Sequence, residues 1–136
     1  MKKRSKKQIS YNMSQIRSKG SKIEKNLASA LKRNKIRFRR HVSIIGKPDF
    51  VILNTKIAIF CDSAFWHGYR NMQTKIHKFT AREGFWINKI KGNIKRDIYV
   101  NKILLKNNWK VIRFWDFEIK QNIGNCIQKI KETIKQ

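Results

Sequence analysis

Acidic residues are what this 136-residue chain lacks: 8 Asp and Glu stand against 33 Lys and Arg, a formal net charge of +25 at pH 7. Self-repulsion on that scale works against a compact fold in isolation, and a polyanionic partner relieves it. Cysteine is scarce as well. Cys61 and Cys126 are the only two and show no CxxC spacing, so neither a disulfide framework nor a structural zinc site is indicated. No apolar run approaches the roughly 20 residues of a membrane-spanning helix, and the basic residues 1–7 lead into no apolar signal core. These absences lead us to expect a cytoplasmic protein with no membrane partner.

What is present is a basic surface and enough apolar residues, 40% of the chain, for a single core. Clustered Lys and Arg bind phosphates by releasing condensed counterions, so nucleic acid is the expected partner. A basic protein of membrane surfaces is the competing reading of charge alone. Heavy use of Lys, Ile and Asn also reflects a compositional bias, which makes part of the lysine excess background. The expected organisation is one domain over residues 1–136, with residues 1–9 a basic, flexible arm.

The pattern along the chain predicts the order α-β-β-β-α-β-α. Ser21-Lys22-Ile23-Glu24 is a capping box, and Ile23, Leu27, Ala30 and Leu31 then form one helical stripe ending near Asn34. Alternation over residues 36–41 suggests a strand, followed by a Gly46-Lys47-Pro48 turn. Two further strands, 49–53 and 56–60, flank a two-residue Asn54-Thr55 turn. A second capping box at Thr80-Ala81-Arg82-Glu83 opens a long helix carrying Phe85, Trp86, Ile90, Ile94, Ile98 and Leu105. A strand over 109–115, apolar enough on both faces to be central, and one amphipathic helix with Ile123, Ile127, Ile130 and Ile134 complete the chain.

Chemistry concentrates around the hairpin. If Leu53 pairs with Lys56, Asp49 lies opposite Phe60 and Asp62 becomes its diagonal neighbour on the same face, about 7–8 Å away from backbone to backbone. Two carboxylates at that range can share Mg²⁺, which prefers oxygen ligands and keeps room for water and phosphate. His67 follows, and an imidazole that titrates near neutrality suits a general base. The ordinary readings are a turn aspartate, a loop histidine and core aromatics. Two adjacent aromatics, Phe65 and Trp66, cannot both point inward from a strand. His41 and His77 have no neighbours in the sequence that suggest a role.

Taken in order, Asn12-Met13, Ile23-Glu24-Lys25, Gly46-x-Pro48-Asp49-Phe50-Val51, Phe65-Trp66-His67, Phe85-Trp86-x-x-Lys89-Ile90-x-x-Asn93-x-x-Arg96-Asp97 and Trp109-x-Val111 with Trp115 are similar to the very-short-patch repair (Vsr) mismatch endonucleases. These belong to the PD-(D/E)XK nuclease superfamily, and the likeness spans about residues 11–119. It implies an α/β fold: an αβββαβ restriction-endonuclease-like core with a mixed central sheet flanked by helices. It implies a Mg²⁺-dependent enzyme that nicks one strand of double-stranded DNA beside a T:G mismatch, acts as a monomer, and accompanies a cytosine methyltransferase.

By that resemblance Asp49, His67, Asp62 and Glu24 are catalytic, and the metal contacts are Asp49, the backbone carbonyl of Cys61, and Asp62. Met13, Phe65, Trp66 and Trp86 wedge into the base stack. Wedging costs a few kcal/mol per step and less at a mismatch, so insertion itself selects damaged pairs. Lys89 and Asn93, one helical turn apart, hold neighbouring bases. The chain departs from the family in two places. Ala64, Tyr69, Asn71 and Phe117 stand where some members bind zinc, so none is expected, and Ala64 also occupies the last position of the acid-x-(Lys or Glu) signature. The other readings are a restriction-type or defence nuclease cutting an intact site, a DNA-binding relative whose nuclease site has decayed, and generic RNA binding.

Overall fold

The computed structural model describes residues 22–64 and 84–136, excepting the side chains of residues 84–87. The expected Ser21 cap, the second capping box, the N-terminal arm, Met13, Phe65, Trp66, His67 and His77 lie outside the described residues. Four strands form one mixed sheet, flanked by helices on both faces, as the sequence reading expected. They are β1 (Phe38–Arg40), β2 (Phe50–Ile52), β3 (Ile57–Asp62) and β4 (Lys110–Trp115), in the spatial order β1-β2-β3-β4. The first three are mutually antiparallel, and β4 runs parallel to β3. A parallel neighbour needs a crossover. Helix α2 (Gly84–Lys106) lies in that connection.

Helix α1 (residues 22–33) presents the predicted stripe, with Ile23, Leu27, Ala30 and Leu31 all buried. They pack on Phe50, Ile52, Ile57, Ile59, Ile112 and Phe114, which share one face of the sheet. Short helix α3 (Asp116–Gln121) and helix α4 (Ile123–Lys135) complete this layer through Ile119, Cys126, Ile127 and Ile130. On the opposite face, Ala58 and Phe60 meet Val100 and Leu104 of α2, with Val111 and Trp109 beside them. A β3 buried almost throughout its length is what helices on both faces demand. Burying a side chain such as Phe50 completely contributes about 1.5–3 kcal/mol.

The hairpin register matches the prediction. Phe50 pairs with Ile59 and Val51 with Ala58, the alignment that places Leu53 opposite Lys56 across Asn54-Thr55. Asn54 adopts φ 62°, and the Thr55 hydroxyl donates to the Ile52 carbonyl at 2.6 Å, closing the turn.

Three expectations need correction. β4 is an edge strand among the described residues, because its two apolar faces answer to helix layers rather than to strands on either side. The expected element order gains a helix: the final helix stands where expected, over Ile123–Lys135, and the unforeseen short α3 precedes it, the two being separated at Asn122, with φ −133° and ψ 46°. Along α2 the apolar stripe shifts: Ile90, Val100 and Leu104 are buried, while Ile98 and Leu105 are exposed.

The loop between β1 and β2 is fixed against α2 by a glycine. Gly46 has φ +81°, and a Cβ built there would collide with the Val100 side chain. Gly46→Ala therefore combines a left-handed backbone with overpacking, and we expect it to lower stability by about 1–3 kcal/mol. Urea unfolding measures the loss.

A candidate metal centre

Asp49 sits one residue ahead of β2, just beyond the regular ladder. Its carboxylate turns back to accept a hydrogen bond from the Cys61 amide, 2.7 Å from Oδ2. Fully buried Pro48 fixes the chain on its N-terminal side. Glu24 approaches from the first turn of α1, where Arg40 holds its Oε2 at 3.4 Å, and Arg40 itself lies over the Phe50 ring.

The third member of the group is His41. The β1–β2 register, with Arg40 opposite Phe50, carries on for one more step: the His41 amide donates to the Asp49 carbonyl at 3.3 Å. At that point the chain turns into the left-handed region, His41 having φ 51°, a conformation that histidine tolerates better than most residues. One donor atom from each of Glu24, His41 and Asp49 lies within 4.8 Å of the other two. Octahedral donors at about 2.1 Å from an ion stand about 3 Å apart in cis and 4.2 Å in trans. Small side-chain rotations thus let these three donors converge on one cation.

Electrostatics at the site favour such a cation. Burial pushes the Asp49 carboxyl up from 3.8 to about 7, and the hydrogen bond and charge of Glu24 add to it, against the opposing pull of the Cys61 amide and of His41. Two carboxylates pressed together with few countercharges hold a proton that a metal ion can displace.

A carboxyl raised in this way binds its proton more tightly in the folded chain than in the unfolded one. Its stabilising effect is present at acid pH and is lost as pH rises from about 4 through about 7. The metal-free protein should therefore melt at a lower temperature at pH 8 than at pH 5.5, with Asp49→Asn flattening that slope and a divalent cation restoring more stability at pH 8. Thermal melts across pH check all three.

Cys61 offers its backbone rather than its thiol. Burial, and then the charges of Asp49 and Glu24, push the thiol well above its ordinary range, and burial and Glu118 push Cys126 up to about 11. Neither thiol is poised for nucleophilic work at neutral pH. In an extended strand the N–H and C=O of one residue point to the same edge. With its amide on Asp49, Cys61 thus aims its carbonyl toward the same side.

Asp62 takes a different partner from Asp49. Alternation along β3 sends it into the α2 layer, where it is buried and accepts both 3.1 Å bonds from Arg113 Nη1. Arg113 also bonds Asn101 Oδ1 at 2.8 Å, pairs with Asp97 at 3.4 Å and lies 4.1 Å over the Phe60 ring. Asp62, Asp97, Asn101 and Arg113 border a cavity of about 220 Å³ beside α2. The structure thus brings Asp49 together with Glu24 and His41, and sets Asp62 against Arg113.

Lys89 is exposed and Asn93 half-buried, two turns and one turn before Asp97 on α2. Trp86 stands in the first turn of α2, with its side chain outside the described residues. Ala64 is buried, and its amide donates to Asp116 Oδ1 at 3.4 Å. Sequence reasoning left His41 without a role. The signal that could have found it was the pairing of the first two strands, which puts residue 41 opposite residue 49.

Comparison with known proteins points to a family. A family described as DNA mismatch endonuclease Vsr matches residues 1–73, a span that includes Glu24, His41, Asp49 and Cys61. The Type II nicking enzyme V.NmeDIP of Neisseria meningitidis serogroup C is 40% identical over 124 residues, covering 90% of this chain and 83% of its own. The Type II nicking enzyme V.HpaIIP of Haemophilus parainfluenzae is 38% identical, over 87% of this chain and 84% of its own. The DNA mismatch endonuclease Vsr of Escherichia coli (strain K12) is 33% identical, over 82% and 70%. Among the described residues no helix is long and apolar enough to cross a membrane.

Proposed function

The chain belongs to the Vsr family of DNA endonucleases, and on that premise we propose that it nicks one strand of duplex DNA beside a T:G mismatch in a metal-dependent reaction. The observation that carries the reading is the Asp49 carboxylate, held at 2.7 Å by the Cys61 amide and pressed against Glu24. Asp49 and the Cys61 carbonyl would hold the cation, Mg²⁺ by family resemblance, with Glu24 supporting Asp49 from α1. When bound, such an ion polarises the scissile phosphate and lowers the pKa of a bound water.

The chain's own residues do the rest. Asp49 would hold the cation as a carboxylate, Arg40 keeps Glu24 in place, and His67 takes the proton of the attacking water. Arg113 fixes Asp62 at the end of β3 and so holds the strand that carries Cys61. Met13, Phe65, Trp66 and Trp86 wedge into the stack, where a mismatch lowers the cost of unstacking. Lys89 and Asn93 hold the flanking bases, and the +25 charge supplies sequence-independent affinity for the backbone. One nick needs one active centre, which suits a monomeric single domain. T:G pairs arise by deamination of 5-methylcytosine, which suits a companion cytosine methyltransferase.

The relatives named as Type II nicking enzymes support a second reading, nicking at an intact recognition sequence. Two end-labelled duplexes differing in a single T:G pair separate the two. A nick confined to the T strand of the mismatched duplex is expected; equal cutting of both duplexes would overturn the mismatch requirement.

A further inference from the structure

His41 is an exposed residue whose neighbours are all chemically informative. Its backbone is locked to Asp49 by the amide-to-carbonyl bond at 3.3 Å, and its turn to φ 51° ends β1 at the point where the side chain reaches Glu24 and Asp49. Among the described residues its imidazole makes no hydrogen bond or ion pair that would explain this placement structurally. Resting on the metal-site reading above, we infer that His41 is a third side-chain ligand of the same ion, and that its nitrogen makes the centre one for Mn²⁺ in preference to Mg²⁺.

The preference follows from donor chemistry. Mg²⁺ demands near-ideal octahedral oxygen coordination and gives up its water reluctantly. An imidazole ligand adds little to its binding. Mn²⁺ shares the taste for carboxylate and carbonyl oxygen, but as a larger, more polarisable transition-metal ion it also gains from an imidazole nitrogen. Two carboxylates and a backbone carbonyl alone would discriminate weakly between the two cations. Adding the imidazole increases the Mn²⁺ side only. Arg40 sharpens the effect, since its pairing with Glu24 Oε2 at 3.4 Å leaves that carboxylate less free to wrap an ion by itself.

The test uses the full chain without DNA, so that binding is read apart from cleavage. Mn²⁺ is titrated in while electron paramagnetic resonance counts the free ion, and pulsed measurements on the bound ion look for nitrogen coupling from an imidazole. Asn is the replacement of choice because it tolerates the left-handed backbone at position 41; Gly, which adopts φ 51° freely, is the second variant should His41→Asn fold poorly.

The wild-type chain should show imidazole coupling. His41→Asn should lose it together with about tenfold in Mn²⁺ affinity, while Mg²⁺ affinity measured by competition stays within about twofold. His67→Ala should keep the coupling. Nitrogen coupling absent from the wild type or surviving in both position-41 variants, or equal losses for the two cations, would overturn the inference. Undiminished Mn²⁺ binding in Asp49→Ala would instead bring down the metal-site reading beneath it.

Discussion

Asp49→Ala should abolish strand nicking while leaving affinity for duplex DNA unchanged or higher. The loss should be on the order of 10³-fold or more, since the carboxylate anchors an ion worth several kcal/mol of charge stabilisation. Binding should not suffer, because the substitution removes a negative charge from a surface that meets phosphates. The alanine also strands the Cys61 amide, which donates to Asp49 Oδ2 at 2.7 Å, at a cost of about 1–3 kcal/mol. Asp49→Asn removes that ambiguity. An amide oxygen can still accept from Cys61, so this variant should melt close to the wild type at pH 5.5 and yet be equally inactive. Single-turnover nicking alongside a binding titration measures both, and substantial cleavage by either variant would remove Asp49 from the reaction.

Arg113→Met should be the most destabilising single change away from the metal centre. Methionine keeps much of the apolar stem over the Phe60 ring but withdraws the guanidinium from Asp62 and Asp97, whose side chains are only 8% and 22% exposed. Removing one partner from a buried pair costs about 3–5 kcal/mol, and partial exposure of Asp97 places the expected loss near the lower end of that range. Asp62→Asn added to Arg113→Met should recover part of it, because the carboxylate then no longer loses a charge partner. Denaturant unfolding of both variants gives the comparison.

The contrast between these two acids shows how far the sequence could be read. The alternation of β3, the Asn54-Thr55 turn and the α1 stripe are local periodicities, and they yielded the hairpin register and the layer that α1 covers. The same register, applied rigidly, placed Asp49 and Asp62 on one face. That inference failed because Asp49 lies just outside β2, where the ladder no longer dictates the side-chain direction and the free Cys61 amide does. Asp62 obeys the alternation, but its partner comes from β4, 51 residues later. No local pattern announces such a contact.

His41 illustrates the complementary limit. Alternation made it the end of a strand, while a left-handed turn at that residue redirected it toward Glu24 on a helix 17 residues earlier. Glu24 and Cys61 entered the sequence reading through resemblance to a family rather than through spacing. Apolarity of β4 was read correctly and interpreted wrongly, since helices on two faces and strands on two sides leave similar signatures in one segment.

Crystals soaked in Mn²⁺ and measured for anomalous scattering would locate the ion. One strong peak is expected within bonding distance of an Asp49 oxygen and the Cys61 carbonyl, facing Glu24. A peak bound instead at the Asp62–Asp97 cluster, or no peak at Asp49 at saturating ion, would contradict the metal site at Asp49.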